Sequence, residues 1–172
     1  LANPNLKVAE AAGEPSFSNA SWLVVAEPGH PRFGHQLRAS DLGLAPAGVT
    51  AYADDDAHLV LDADGQPVSA EAATGAAQVD VALTLTLADG SAVAIKSGYR
   101  LLAEQALAHS LADYSGVCGI PEATITALAD EFTRHGRKAS AVAHGGMMSG
   151  AGFYAAFGVV TLNVLIGNVN WK

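Results

Sequence analysis

Between Lys138 and Lys172 the chain carries no Asp, Glu, Lys or Arg, and this uncharged stretch constrains the fold more than any other. It opens with Ala139-Ser140-Ala141-Val142-Ala143, an apolar run bounded by a charge and by glycines. Such a run suits a short strand covered on both faces. Next come His144-Gly145-Gly146-Met147-Met148-Ser149-Gly150-Ala151-Gly152, with four glycines in nine positions. Glycine allows a sharp turn and removes the Cβ that would hold a ligand away, so a loop of this kind running into a helix is either a place to hold a cofactor or a tight packed turn. After Gly152, Phe153, Phe157, Val160 and Val164 recur at steps of four and three, while Tyr154, Val159, Leu162, Leu165 and Ile166 fill the rest of the circumference. A helix apolar all round is expected to be buried. The apolar run of roughly 16 residues falls short of the ~20 that a bilayer requires, and Gly158, Asn163 and Gly167 interrupt it, so a core helix is the better reading than a membrane span.

The rest of the chain reads as an α/β protein. Trp22 to Val25 between Ser/Asn and Glu27-Pro28-Gly29 predicts a short strand, followed by an irregular stretch with His30, Arg32, His35 and Arg38, read as a solvated loop. Ala45 to Asp56 is linker-like, and neither Asp54-Asp55-Asp56 nor Asp62-Ala63-Asp64-Gly65 has the register of a calcium loop. Two hairpins follow. His58 to Leu61 turns through Asp62 to Gly65 into Gln66 to Ala70. Val79, Val81, Leu83, Leu85 and Leu87 alternate with smaller or polar residues, then turn at Ala88-Asp89-Gly90 into Val93 and Ile95. Gly98 to Ser110 predicts a helix stopping near Asp113. A second helix is bracketed by Pro121-Glu122 at its start and His135-Gly136 at its end. The expected architecture is a single α/β segment over 1–172: a helix–strand–glycine loop–helix layer over 98–172, preceded by a hairpin-rich insertion over 45–97.

Composition narrows the chemistry. A formal net charge of −8 and the absence of a basic patch with aromatics argue against nucleic acid as a partner. The single Cys118 excludes an internal disulfide and cannot by itself build a zinc or iron–sulfur site. Gly150-Ala151-Gly152-Phe153-Tyr154-Ala155 matches a dinucleotide fingerprint by letter, but six residues separate it from the strand and no acid follows at the distance a ribose needs. A phosphate loop would need a lysine here. A nucleophile elbow at Ser149 would need glycines where Met147 and Ala151 stand.

Several runs together resemble one family. They are Tyr114-Ser115-Gly116-Val117-Cys118-Gly119-Ile120-Pro121, Leu128-Ala129-Asp130-Glu131-Phe132 continuing to Ala139, His144 to Met148, Gly152-Phe153-Tyr154, and Leu162-Asn163-Val164-Leu165-Ile166-Gly167-Asn168-Val169-Asn170-Trp171-Lys172. Leu1 to Leu6 and Leu37 to Gly43 add to the likeness. The chain resembles the molybdopterin (DMSO reductase) oxidoreductases, in the branch whose catalytic subunits reduce tetrathionate, and corresponds to an internal fragment of such a subunit. The resemblance implies a larger protein with a bis(molybdopterin guanine dinucleotide) molybdenum centre and a 4Fe-4S cluster. Its implied partners are two further subunits, one an iron–sulfur electron-transfer protein and the other a membrane anchor. It also implies a small sulfur oxyanion as substrate, a place in anaerobic respiration, and a location on the periplasmic side of the cytoplasmic membrane. Cofactor contact is carried onto His144, Gly145, Gly146, Met147, Met148, Ser149, Gly150 and Gly152 only. No metal ligand is assigned, and Cys118 is expected to be a buried small hydrophobe. His144 is a donor to the pterin or to a polythionate oxygen, or a structural histidine; the residues leave both open. The isolated piece is expected to bind no cofactor, to be inactive and to self-associate. The competing readings are a binding or assembly module without catalysis, and a hydrolase using Ser149 and His144.

Overall fold

A computed structural model describes residues 19–44, 56–70, 73, 77–143, 150 and 152–168. The fold is α/β, with antiparallel sheets and four α-helices among the described residues. The chain divides after Leu107 into two compact units.

The first unit holds the core. Strand β1 (Leu23–Val25) is buried at all three positions. Strands β2 (Leu59–Leu61) and β3 (Pro67–Ser69) form one hairpin, in register Leu59 to Ser69. Strands β4 (Ala82–Thr86) and β5 (Ala92–Ser97) form the other, from Ala82 opposite Lys96 to Thr86 opposite Ala92. β5 is the middle of a three-stranded sheet, with β4 on one side and β1 antiparallel on the other.

Both hairpins turn where the Asp-Gly signals predict. Asp62 Oδ1 accepts from the N–H groups of Asp64 (2.9 Å) and Gln66 (2.8 Å). Asp89 Oδ1 accepts from the Ser91 N–H (2.8 Å) and hydroxyl (2.6 Å). Gly65 and Gly90 complete the turns at φ +78° and +84°, where a side chain would be strained. The alternation in β5 is kept in full, since Val93, Ile95 and Ser97 are buried while Ala94 and Lys96 are half-covered. In β4 it is diluted. As the edge strand, β4 leaves Leu83 38 % exposed, and only Leu85 among its leucines, joined by Leu87 just beyond, packs against the core.

Residues 35–39 run between β1 and β2 and link the sheets. Leu37 donates its N–H to the Leu23 carbonyl (2.8 Å) and accepts from the Leu59 N–H (3.3 Å). Leu23, Val25, Leu37, Leu59, Leu61, Val81, Val93 and Ile95, with Ala39, form the contiguous core. Each large aliphatic side chain there contributes roughly 1.5–3 kcal/mol of transfer free energy.

Helix α1 (Gly98–Ala106) grows directly out of β5. Ser97 is the last residue of the strand and the N-cap of the helix, and it is fully buried. Its hydroxyl donates to the Val79 carbonyl (2.5 Å) and accepts from the N–H groups of Arg100 (3.1 Å) and Val81 (3.3 Å). Ser97→Ala is expected to lower stability by about 2–3 kcal/mol, since it removes a cap and leaves the buried Val81 N–H and the partly buried Val79 carbonyl without this partner. A lower urea midpoint with unchanged slope would register that loss; a shift below about 0.5 kcal/mol would contradict the assignment.

The second unit contains α2 (Leu111–Cys118), α3 (Glu122–His135) and α4 (Gly152–Leu165). Sequence reading missed α2 and placed a helix stop at Asp113. Asp113 instead starts a helix: its carboxylate accepts from the Ser110 N–H (2.8 Å) while Ser110 Oγ accepts from the Asp113 N–H (3.1 Å), a reciprocal capping box. The Ser110 hydroxyl, which donates to the Asp113 carboxylate (2.7 Å), and then the Ser110 N–H hold the Asp113 carboxyl below its ordinary range. Gly119 closes α2 at φ +73°, and α3 follows with the predicted bounds, Glu122 in its first turn and Arg134 and His135 in its last.

Three expectations are corrected here. Ala139–Ala143 is not a strand: it has no ladder partner among the described residues, and Val142 is 83 % exposed. An apolar run becomes a strand only beside another strand, which no run of residues can supply by itself. Helix α4 is not buried, for Phe153, Tyr154, Phe157 and Val160 are all exposed and only Gly152 is fully covered. The apolar circumference requires a cover that the described residues do not provide. Cys118 is exposed at the end of α2, its thiol 3.8 Å from the Ser115 carbonyl, because no described element packs over that turn. No helix among the described residues is long and apolar enough to cross a membrane.

Candidate functional site

The candidate site is the glycine-rich loop between residue 143 and α4. Of the residues assigned to it, His144, Gly145, Gly146, Met147, Met148 and Ser149 lie outside the described residues. Gly150 sits in a turn and is exposed, with nothing within 4 Å of where a Cβ would stand. Gly152 is the first residue of α4 and is buried.

The segment 139–141 is held by one side chain of α4 and one from just beyond it. Asn163 Oδ1 accepts from the Ala141 N–H (2.9 Å), and its Nδ2 donates to the Ala141 carbonyl (2.9 Å) and to Val159 O (3.0 Å). Asn168 Nδ2 donates to the Ala139 carbonyl (2.7 Å). The turn after α4, which carries Asn168, closes the helix, with Gly167 at φ +76° and the Asn168 N–H bonded to the Asn163 carbonyl (2.8 Å). Sequence reasoning treated Asn163 as an interruption of the apolar run and as a member of the Leu162–Lys172 motif, and gave it no contact. The available signal was the cost of an amide in an apolar helix, which demands a partner.

The histidine and arginine cluster over 30–38 lies in the other unit and is built into a polar network. Arg32 makes a two-point ion pair with Asp41, through Nη1 to Oδ1 and through Nη2 to Oδ2 (2.8 Å). Asp41 Oδ2 also accepts from the Arg38 N–H (2.8 Å). The Arg32 hydrogen bond above all, aided by the Arg38 N–H, holds the Asp41 carboxyl below its ordinary range despite partial burial, and the same bond raises Arg32. Arg38 Nη1 donates to the Asp56 carbonyl (2.8 Å), and the Asp56 carboxylate takes the Ser40 N–H (2.9 Å) and hydroxyl. Arg38 also approaches His58, whose ring stacks on Trp22 with centroids 3.6 Å apart. An open depression of ≈ 510 Å³ is lined by Arg32, Phe33, Gly34, His35, Gln36 and Arg38. With Arg32 already neutralised by Asp41, this is chiefly a structural network rather than an anion trap.

Among the described residues no three His, Cys, Asp or Glu side chains gather as metal ligands. The part of the site in view offers open space above Gly150 and a loop base fixed by amides.

No protein-family profile and no solved structure matches this sequence. Curated relatives do. The A subunit of tetrathionate reductase from Salmonella typhimurium is 44 % identical over 170 residues, which is 99 % of this chain and 16 % of that protein. The A subunit of selenate reductase from Mesobacillus selenatarsenatis is 30 % identical over 175 residues, spanning 100 % of this chain and 16 % of the relative. Its counterpart in the tetrathionate reductase of Archaeoglobus fulgidus is 27 % identical over 179 residues, 14 % of its length. The chain thus spans about one sixth of the length of the relatives it matches, along its own entire length, and with the A subunits of these reductases it belongs to the molybdopterin oxidoreductase family.

Proposed function

We propose that this chain is part of the catalytic subunit of a molybdenum-dependent tetrathionate reductase. The observation that carries the reading is the 44 % identity to the tetrathionate reductase of Salmonella typhimurium, spread over nearly the whole chain and well above the 30 % to the selenate enzyme. When bound, a bis(molybdopterin guanine dinucleotide) molybdenum centre would supply two electrons for cleaving the central S–S bond, so that one tetrathionate dianion gives two thiosulfate dianions. The contribution of this chain is binding and orientation. The loop His144 to Gly152 lets its backbone approach a pterin without intervening side chains, and His144 offers a donor to the pterin or to a sulfonate oxygen. Electrons arrive by way of a 4Fe-4S cluster and two partner subunits, an iron–sulfur protein and a membrane anchor, on the periplasmic side of the membrane, in anaerobic respiration. The chain by itself is inactive and holds no cofactor, and the exposed aromatic row of α4 favours its self-association.

The test is metal and nucleotide analysis of the full-length subunit together with a dye-linked assay. Molybdenum and guanine nucleotide are expected at stoichiometric levels, with reduced viologen oxidised by tetrathionate faster than by selenate. Absence of both molybdenum and guanine nucleotide would sink the proposal and favour an assembly module without catalysis. Labelling of Ser149 by a fluorophosphonate would favour a hydrolase instead.

A further inference from the structure

The second unit has apolar side chains but no core of its own. Among the described residues, every buried hydrophobic side chain lies between Leu23 and Ile95, in the first unit. In α4 the covered side is narrow. Ala156, Val159 and Asn163 are half-buried there, on the side whose amide holds Ala141. At ~3.6 residues per turn, Val160, Phe153, Phe157, Tyr154 and Leu162 spread over an arc of roughly 200° on the remaining circumference, and all five are exposed. Phe153 (70 % exposed) and Leu162 (45 % exposed) stand on nearly opposite sides of the helix.

The breadth and the composition of this arc select what covers it. A second copy or a separate subunit meets one patch of surface, and so covers one stripe of a helix and leaves the other side in water. Such an interface also carries a polar rim, whereas no Asp, Glu, Lys or Arg occurs between Lys138 and Lys172. A bilayer is not the cover either, since α4 has 14 residues and a span takes ~20. Surrounding chain of the same polypeptide meets both requirements, because the fraction of surface that folding buries rises with chain length. The relatives that match this chain along its whole length are about six times as long.

We propose that the exposed arc of α4 is an internal interface of the full-length subunit, enclosed on opposite sides by segments of the same polypeptide outside these 172 residues. This enclosure follows from family membership and from the length of the relatives, and it is independent of the molybdenum reading. Self-association of the isolated chain is then a substitute for the enclosing segments.

The test places p-benzoylphenylalanine at Phe153 and, separately, at Leu162 of the full-length subunit. On irradiation each position is expected to cross-link to the same polypeptide outside these 172 residues, in a product of monomer mass. Amide exchange over 153–165, measured on the unsubstituted proteins, is expected to be about a hundredfold slower in the full-length subunit than in the isolated chain diluted to its monomer. Cross-links to a second copy, to another subunit or to lipid at either position overturn the enclosure, and so does equal exchange in the two proteins. A full-length subunit free of molybdenum that gives the expected cross-links and the slowed exchange overturns the proposed function and supports the enclosure.

Discussion

Replacing Gly146 with valine in the full-length subunit is expected, on the function proposed above, to lower tetrathionate turnover by a hundredfold or more while the thermal midpoint falls by only a few degrees. The asymmetry follows from what the loop joins. Helix α4 on one side and residues 139–143 on the other are joined by the Asn163 and Asn168 amides, whose bonds to Ala141 and Ala139 do not involve the loop. A β-branched residue restricts the backbone and adds bulk where glycine had none, so a shift of the order of 1 Å at the reacting centre suffices for a loss of about 10² in rate. Gly145→Val is expected to behave alike. The measurements are turnover with a reduced dye, bound molybdenum and thermal midpoint, taken on the same preparations. Full loading and unchanged turnover in Gly146→Val would take the loop out of the active site and leave it a turn.

Ile95→Ala is expected to have the largest effect on the fold, about 3–5 kcal/mol of destabilisation. Ile95 lies in the central strand, opposite Val25 of β1 and Leu83 of β4, and is 1 % exposed. Its truncation opens a cavity between strands that other core residues hold apart, so collapse around the gap is limited. Against a typical domain stability of about 5–15 kcal/mol this is a large fraction. Phe33→Ala, at a side chain 58 % exposed in the same unit, is expected to change stability by less than about 0.5 kcal/mol. Denaturant titrations of the two variants test the contrast, and an Ile95→Ala loss as small as that of Phe33→Ala would mean the core is not where Leu23, Val25 and Ile95 place it.

What was legible in the sequence was local. The hairpins could be read because Asp62 and Asp89 bond to residues at most four positions away and the glycines beside them accept a left-handed backbone. The start and end of α3 could be read from Pro121 and Gly136 for the same reason. The pairing of β1 with β5 could not, because nothing in Leu23-Val24-Val25 names a partner so far along the chain. Helix α2 was lost because Gly116 weakens its pattern and the Ser110 and Asp113 cap resembles a turn. The strand expected over 139–143 failed because strand character belongs to a pair. As for the candidate site, the loop was assigned from its glycines and from a likeness of motifs, most of it lies outside the described residues, and the relatives support the family. The side chains that hold its base were not found, since an asparagine amid apolar residues reveals that it has a partner but not which one.

The position of β5 at the centre of its sheet has a consequence for synthesis. The Glu27 carboxylate at the end of β1 takes the Ala94 N–H of β5 from 67 residues away. β1 leaves the ribosome first and bonds at once to residues 34–37 on one edge, yet its other edge has no strand to join until β5 follows. At elongation rates of about 5–20 residues per second that wait lasts roughly 3–13 s, long compared with the microseconds in which the β4–β5 hairpin closes. The hairpin is therefore the template on which the second edge of β1 is completed, and a nascent chain paused between residues 37 and 92 presents β1 with one edge still open.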